Sequence, residues 1–214
     1  IHYLIPKYKL QIHAEHFQKV THNLLGVKGS KLEDIKTVRS HAQALGQSQK
    51  FISDNKLTSI ISADTAGSAK YVSEKKDKSE GAIASDLAAK IYNLDILKTN
   101  VEDETGNFTR FLVMNRDSKH PELKDKKYIT SCIFKLKSVP ASLYKALGSF
   151  ATRGINLCKL ESFAVKNTFD QVNFYIDIEG HIEDSLLKDA LNELSFHSAT
   201  FDILGVYEAH KFRS

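Results

Sequence analysis

No apolar run in the chain approaches the roughly 18 residues that a helix needs to cross a bilayer, which excludes a helical membrane span. The start shows no charged segment followed by an apolar stretch, so no leader is visible, although a segment preceding Ile1 would hide one. Cysteine is scarce as well. The two present, Cys132 and Cys158, have no metal-site spacing and fall in apolar, strand-like runs, where a buried reduced thiol is the usual finding. A reducing cytoplasm is the simplest setting. Also missing is any segregation of charge. The net charge of +4 and the pI near 8.9 come from lysines interleaved with acidic residues. Lys75-Lys76-Asp77-Lys78 and Lys124-Asp125-Lys126-Lys127 read as solvated loops. A nucleic-acid binder would gather its charge on one face, whereas a modest positive bias suits a dianionic metabolite.

What the chain does have is apolar content, 42% of 214 residues, enough for one substantial core or two smaller ones, and two domains are expected. Short period-two stretches lie between Leu10 and Leu25. Strands at 37–39, 57–61 and 82–84 are then each followed by a helix, at 40–55, 64–76 and 85–92, an α/β pattern. The helices begin with capping residues straight after a strand: Ser40 with Gln43 three later, Asp64 or Thr65, and Ser85. Such starts point free N–H groups toward the carboxyl edge of the sheet, where open α/β folds bind ligands, and they suit carboxylates. The blander role of each is to cap its helix.

A linker is expected from His120 to Lys127, after which the periodicity changes. Cys132, Phe134 and Leu136 alternate as in a half-buried strand, and Leu143, Ala146, Leu147, Phe150 and Ala151 follow helical spacing, with Gly154 as the stop. Val172, Phe174, Ile176 and Ile178 alternate again. A helix through Leu186, Leu187, Ala190, Leu191 and Leu194 and a strand around 201–206 complete a βαββαβ order.

Between the halves, Asn107-Phe108-Thr109-Arg110-Phe111 sets a hydroxyl beside a guanidinium on one strand, just after the acidic stretch from Glu102 to Glu104. A polar pair in a core-seeking run must find partners or face a cleft. The planar fork of Arg110 suits a carboxylate, as a lysine does not. The plainer alternative is a packed threonine and an arginine snorkelling to solvent.

These motifs, in order, resemble prephenate dehydratase. Ser40-His41-Ala42-Gln43-Ala44-Leu45 is similar to the family's Ser-His-Pro-Gln-Ala-Leu segment, Asp64-Thr65-Ala66 to its Asp-Thr-Ala turn, and Asn107 to Phe111 to its Asn-x-Thr-Arg-Phe signature. Leu143 to Leu147, Gly154 to Leu157, Glu161-Ser162 and Phe174 to His181 resemble the regulatory ACT domain that follows. The resemblance implies an α/β protein in which one lobe of a two-lobed, periplasmic-binding-protein-like catalytic domain precedes a ferredoxin-like βαββαβ ACT domain. The expected boundaries are 1–119 for the catalytic region, 120–127 for the linker and 128–214 for the ACT domain. Ile1 to Pro6 resembles the exit from the first lobe, most of which is expected to lie outside the sequence, so that this chain alone would not turn over prephenate.

The activity implied is decarboxylating dehydration of prephenate to phenylpyruvate, with no metal or organic cofactor. Thr109 is implied as catalytic, with Arg110, Phe111, Asn107, Ser40, His41, Gln43, Asp64, Thr65 and Ser85 binding substrate. L-Phenylalanine is implied as effector, held near Ala141, Ser142, Leu143, Gly154, Asn156, Leu157, Glu161 and Ser162 in a homodimer or homotetramer. Phe163 and Ala164 stand where the family has arginine and proline, which implies weaker or altered effector binding. Ala42 replaces the family's proline, a change the fold should tolerate. Gly67 costs helix stability, roughly 1 kcal/mol against alanine, but lets a ligand or backbone come close. Two alternatives stand beside this reading: a non-catalytic amino-acid-binding regulatory protein, and arogenate dehydratase, which the same motifs would serve.

Overall fold

The computed structural model describes residues 2–104, 106–116, 119–164 and 172–213. Ile1, the first residue of the expected lobe exit, lies outside them. The chain opens with a short helix α1 (Leu4–Lys7) and a strand β1 (Gln11–Lys19). It divides into two units: residues 18–109, and residues 1–17 together with 110–214. This differs from the expected break at 120–127. Residues 119–127 do lack helix and strand, but the division falls earlier, because β1 and the strand containing Thr109 pack mainly with the carboxyl-terminal half. Among the described residues no helix is long and apolar enough to cross a membrane.

The 18–109 unit contains β2 (Asn23–Gly26), β3 (Thr37–His41), α2 (Ala42–Gly46), α3 (Gln49–Asp54), β4 (Thr58–Ser62), α4 (Thr65–Lys75), β5 (Glu80–Ala84), α5 (Asp86–Ile91) and β6 (Asp95–Lys98). Its sheet runs β4-β3-β5-β2-β6, with β3 parallel to β4 and β5, and β2 antiparallel to β5 and β6. Every residue of β5 is buried, as a central strand covered on both faces requires. Alternation sends Leu25, Ala82 and Ala84 to one core with Ala69, Val72, Ala88 and Ala89. Leu24 and Ile83 go to the other, with Val38, Leu45 and Ile52. The single helix expected over 40–55 is two. Gly46 weakens its middle, and the Gln47 carbonyl accepts a hydrogen bond from the Asp103 amide at 2.6 Å. Strand β6 was not expected from the sequence.

The second unit adds β7 (Phe108–Asn115), which pairs with β1, and then β8 (Tyr128–Leu136), α6 (Ser142–Ala151), β9 (Leu157–Ala164), β10 (Val172–Glu179), α7 (Ser185–His197) and β11 (Ser198–Glu208). The sheet order β11-β8-β10-β9 is antiparallel throughout, the ferredoxin-like arrangement of a βαββαβ domain. One face sets Cys132, Phe134, Ile176 and Ile178 against Phe150, Leu187, Leu191 and Leu194 of the two helices. On the other face Ile129, Ile133, Tyr175 and Tyr207 pack against Ile5, Ile12, Leu112 and Met114 of the same chain.

That second interface holds a buried charge cluster. Arg110 Nε donates to Glu15 Oε2 at 2.7 Å, Nη2 to the Tyr207 hydroxyl at 2.7 Å, and Nη1 to Asp177 Oδ2. Asp177 Oδ1 accepts from Tyr175 at 2.7 Å and from Ser131 at 2.5 Å. Glu15 also accepts from Arg213, at 2.6 and 3.0 Å, and from the His210 amide at 3.1 Å. Both carboxylate side chains are fully buried. Burial pushes the Glu15 carboxyl up, but the Arg213 hydrogen bonds, the His210 amide and the two guanidinium charges outweigh it and hold the group below the usual carboxylate range. For Arg110 burial works against the charge, and the Tyr207 and Asp177 partners more than restore it, so its pKa is raised.

An ideal Cβ on Gly205 of β11 would lie 2.1 Å from the Ile12 carbonyl oxygen, so backbone must move to admit one. Gly205→Ala should cost about 1–3 kcal/mol and lower the melting temperature by several degrees; an unchanged melting curve would refute the close approach. Because the folded pKa of Glu15 is depressed, its contribution is complete above the unfolded value of about 4.3 and is lost as pH falls through the folded value. Stability should therefore drop below about pH 4, and Glu15→Gln should flatten that part of the profile. Chemical denaturation at stepped pH checks this, and equal slopes in parent and variant would contradict it.

Candidate active-site cleft

Within the 18–109 unit the carboxyl ends of the parallel strands lead into the first turns of α2 and α4, and a cleft of about 270 Å³ opens there. It is lined by His41, Gln43, Ala44 and Gln47 from the α2 region, Asp64 and Thr65 at the start of α4, Val20 and His22, and Asn107 and Thr109. It gathers the expected catalytic Thr109 with the expected substrate residues Asn107, His41, Gln43, Asp64 and Thr65, and it omits Ser40, Ser85, Arg110 and Phe111.

Each omission has a local cause. Ser40 is not a helix cap but a strand residue, fully buried, whose hydroxyl donates to the Ile83 carbonyl at 2.6 Å. The cap of α2 is His41, whose Nδ1 accepts from the Gln43 amide at 3.2 Å. Ser85 caps α5 by accepting from the Ala88 amide at 3.2 Å. Arg110, expected at a substrate carboxylate, has all three guanidinium nitrogens engaged by Glu15, Asp177 and Tyr207. Adjacent strand residues point to opposite faces, so Thr109 and Arg110 cannot share a ligand through one face of β7. Phe111 is on the Thr109 side and is 54% exposed.

Several of the cleft residues are fixed by hydrogen bonds. Asp64 caps α4, its Oδ1 accepting from the Gly67 amide at 2.5 Å. An ideal Cβ at Gly67 would meet Asp64 Oδ2 at 2.7 Å, so the space that glycine leaves is taken by the capping carboxylate, not by a ligand. Gln47 Oε1 accepts from His22 Nε2 at 3.0 Å and from Asn107 Nδ2 at 2.9 Å. With Nδ1 of His41 accepting, its neutral ring carries the proton on Nε2 and is a donor there. The Thr109 hydroxyl is exposed and has no hydrogen-bond partner among the described residues. No lysine or arginine is among the lining residues. His22 and Gln47 were not singled out from the sequence. Gln47 follows Gln43 by four, the spacing that puts two residues on one helical face, which was the available signal. The acidic stretch has a structural use, since Glu102 accepts from the His22 amide at 2.9 Å and Asp103 from the Lys50 amide at 3.0 Å.

In the ferredoxin-like unit a second cavity, of about 600 Å³, lies beside the loop before α6, lined by Ser142 and Leu143 together with Lys135, Val139, Pro140 and Phe174 among others. Ala141 precedes α6 with φ of 59°, and Gly154 has φ of 65°. The other expected effector residues are not among its lining. The Asn156 carbonyl accepts from the Glu179 amide at 3.0 Å, Leu157 begins β9, Glu161 pairs with Lys159 at 2.8 Å, and Ser162 lies opposite Phe174 in the ladder. Phe163 packs on His2 with ring centroids 5.4 Å apart. Burial raises the pKa of Cys132 and Cys158, and both thiols are free. Among the described residues no group of histidine, cysteine or carboxylate side chains could hold a metal ion.

Comparison with known proteins draws a boundary at 119, where the sequence reading ended the catalytic region and not where the two compact units divide. The family model for prephenate dehydratase matches residues 1–119. The chain is 42% identical, over all of its length and 76% of the relative's, to a bifunctional N-acyl-homoserine lactone acylase/prephenate dehydratase of Komagataeibacter europaeus. It is 40% identical to arogenate dehydratase/prephenate dehydratase 1 of Arabidopsis thaliana, over 95% of this chain but 55% of that protein. The solved structure of prephenate dehydratase in complex with L-Phe from Arthrobacter aurescens superposes with a TM-score of 0.83 at 29% identity, covering 94% of this chain and 66% of that one. With more than half of the residues matched by the family model and the likeness carried on to the end of the chain, the protein belongs to the prephenate dehydratase family.

Proposed function

We propose that the cleft in the 18–109 unit forms part of the site at which prephenate is converted to phenylpyruvate, and that Thr109 serves the departing hydroxyl. The observation that carries this reading is the exposed Thr109 side chain, without a hydrogen-bond partner among the described residues, in a cleft where His41, His22, Gln47 and Asn107 are fixed by hydrogen bonds. In the reaction the ring carboxylate leaves as carbon dioxide, the electrons of the broken C–C bond complete the aromatic ring, and the hydroxyl departs with a proton as water. Aromatisation supplies the driving force, so the protein has to orient the substrate and assist that departure. Thr109 donates toward the leaving oxygen, with His41 Nε2 as a neighbouring donor. Gln43, Asn107 and the first turn of α4 offer further donors to a substrate carboxylate. Arg110 is assigned a different task, since each of its guanidinium nitrogens is engaged within its own cluster.

Arogenate, with an amino group in place of the keto group, is the second reading, favoured by the relatives named arogenate dehydratase at 40% and 36% identity. Parallel assays with prephenate and arogenate on the full-length protein distinguish the two, and an N-acyl-homoserine lactone assay addresses the other activity in the bacterial relative's name. Control by phenylalanine is part of the proposal, supported by the ferredoxin-like unit and by the L-Phe complex of the Arthrobacter relative.

In the full-length protein Thr109→Val should lower kcat about 100-fold or more with a smaller change in KM. An unchanged kcat would leave Thr109 a packing role and turn attention to Thr65. Millimolar phenylalanine should raise the melting temperature and release heat in calorimetry. Neither response would be seen if the regulatory fold has lost its sensing role.

A further inference from the structure

Thr109 is one peptide bond from Arg110, and Arg110 is the most thoroughly held side chain of β7. Its guanidinium nitrogens bond to three groups from three other strands: Glu15 on β1, Asp177 on β10 and Tyr207 on β11. Those partners are themselves held. Asp177 is fixed by Ser131 of β8 and Tyr175 of β10, and Glu15 by Arg213 and the His210 amide. The partners are 67, 95 and 97 residues from Arg110 in sequence, so nothing local would bring them together. A need for core stability does not account for such an arrangement, since an apolar contact could fill the same space, and buried ion pairs are often replaceable by apolar groups without loss.

We infer that Asp177, acting with Glu15 and Tyr207 through Arg110, is a positioning residue for Thr109: the clamp on one face of β7 fixes the backbone from which the hydroxyl projects on the opposite face. This rests on the role proposed for Thr109. The alternation of β7 makes it possible, because a residue pinned on one side leaves its neighbour free on the other while denying both any translation along the strand. A displacement of about 1 Å at a reacting group can cost a factor of about 100 in rate.

The test uses the full-length protein with Asp177→Asn, Tyr207→Phe and the double variant Arg110→Gln/Asp177→Asn, which removes one charge of each sign. Leu191→Ala, a core truncation in the helix-covered face, is the control for stability alone. Asp177→Asn should lower kcat tenfold or more with KM within about twofold, and Tyr207→Phe should lower it less. The double variant should regain thermal stability without regaining kcat, and Leu191→Ala should lose stability while keeping kcat. Recovery of kcat in the double variant, or an equal loss in Leu191→Ala, would show that the cluster serves stability only and would overturn the inference.

Amide hydrogen exchange across residues 107–113 gives a readout independent of turnover. It should quicken at least tenfold in Asp177→Asn and not in Leu191→Ala, and unaltered exchange in Asp177→Asn overturns the clamp. If the parent converts neither prephenate nor arogenate, the functional reading fails by itself, and the exchange data still decide whether Asp177 holds the strand. Should Asp177→Asn fail to fold, Tyr207→Phe and the double variant carry both measurements.

Discussion

The second unit depends on a buried balance of charge. Two guanidiniums, Arg110 and Arg213, meet two carboxylates, Glu15 and Asp177, between the ferredoxin-like sheet and the β1–β7 pair. Assembling such a cluster from separated residues removes four charges from water, and the return comes only when every partner is present. Removing one member of a buried pair commonly costs about 3–5 kcal/mol, because the other is left uncompensated. Tyr175, Tyr207 and Ser131 add hydrogen bonds to it, and Ile12, Ile129, Ile133 and Leu112 pack in the same interface. The division at Phe17 and Arg110 follows from this. Strands that a reading by sequence order assigns to the catalytic region are bound to the ferredoxin-like sheet by charge and by apolar contact.

Much of the fold was legible because it is written in periodicity. Alternation marked β8 and β10, helical spacing marked α6 and α7, and strand-then-cap signals marked α4 and α5. The failures arise where the deciding partner is distant. Ser40 has the chemistry of a cap, but the strand continues through it, and a carbonyl 43 residues away takes its hydroxyl. The break between α2 and α3 depends on the amide of Asp103, which no local signal could supply. Strand β6 is only four residues long and has exposed alternate positions, so it carries little apolar signal.

The candidate site divides the same way. The motif residues His41, Gln43, Asp64, Thr65, Asn107 and Thr109 were visible in sequence and converge, since each sits at a strand end or helix start. Arg110 was read by its chemistry, and that chemistry is used on Glu15 and Asp177. A guanidinium seeks carboxylates, and sequence alone does not say whether they belong to a ligand or to the protein. His22 and Gln47 lacked a motif, and only the folded cleft draws attention to them.

The shared oxygen of Gln47 has a further consequence. Its two donors, with the Nδ1 of His41 spent on the Gln43 amide, use up acceptors inside the cleft and leave hydrogens unspent on His41, Gln47 and Asn107. The proposed hold on a substrate carboxylate would rest on these short-range dipoles, set beside the Asp64 carboxylate that lines the same cleft. Salt screens separated charges over a Debye length of about 8 Å at physiological ionic strength, and it has little purchase on contacts of this kind. Such a hold would therefore be a matter of alignment more than of opposite charge.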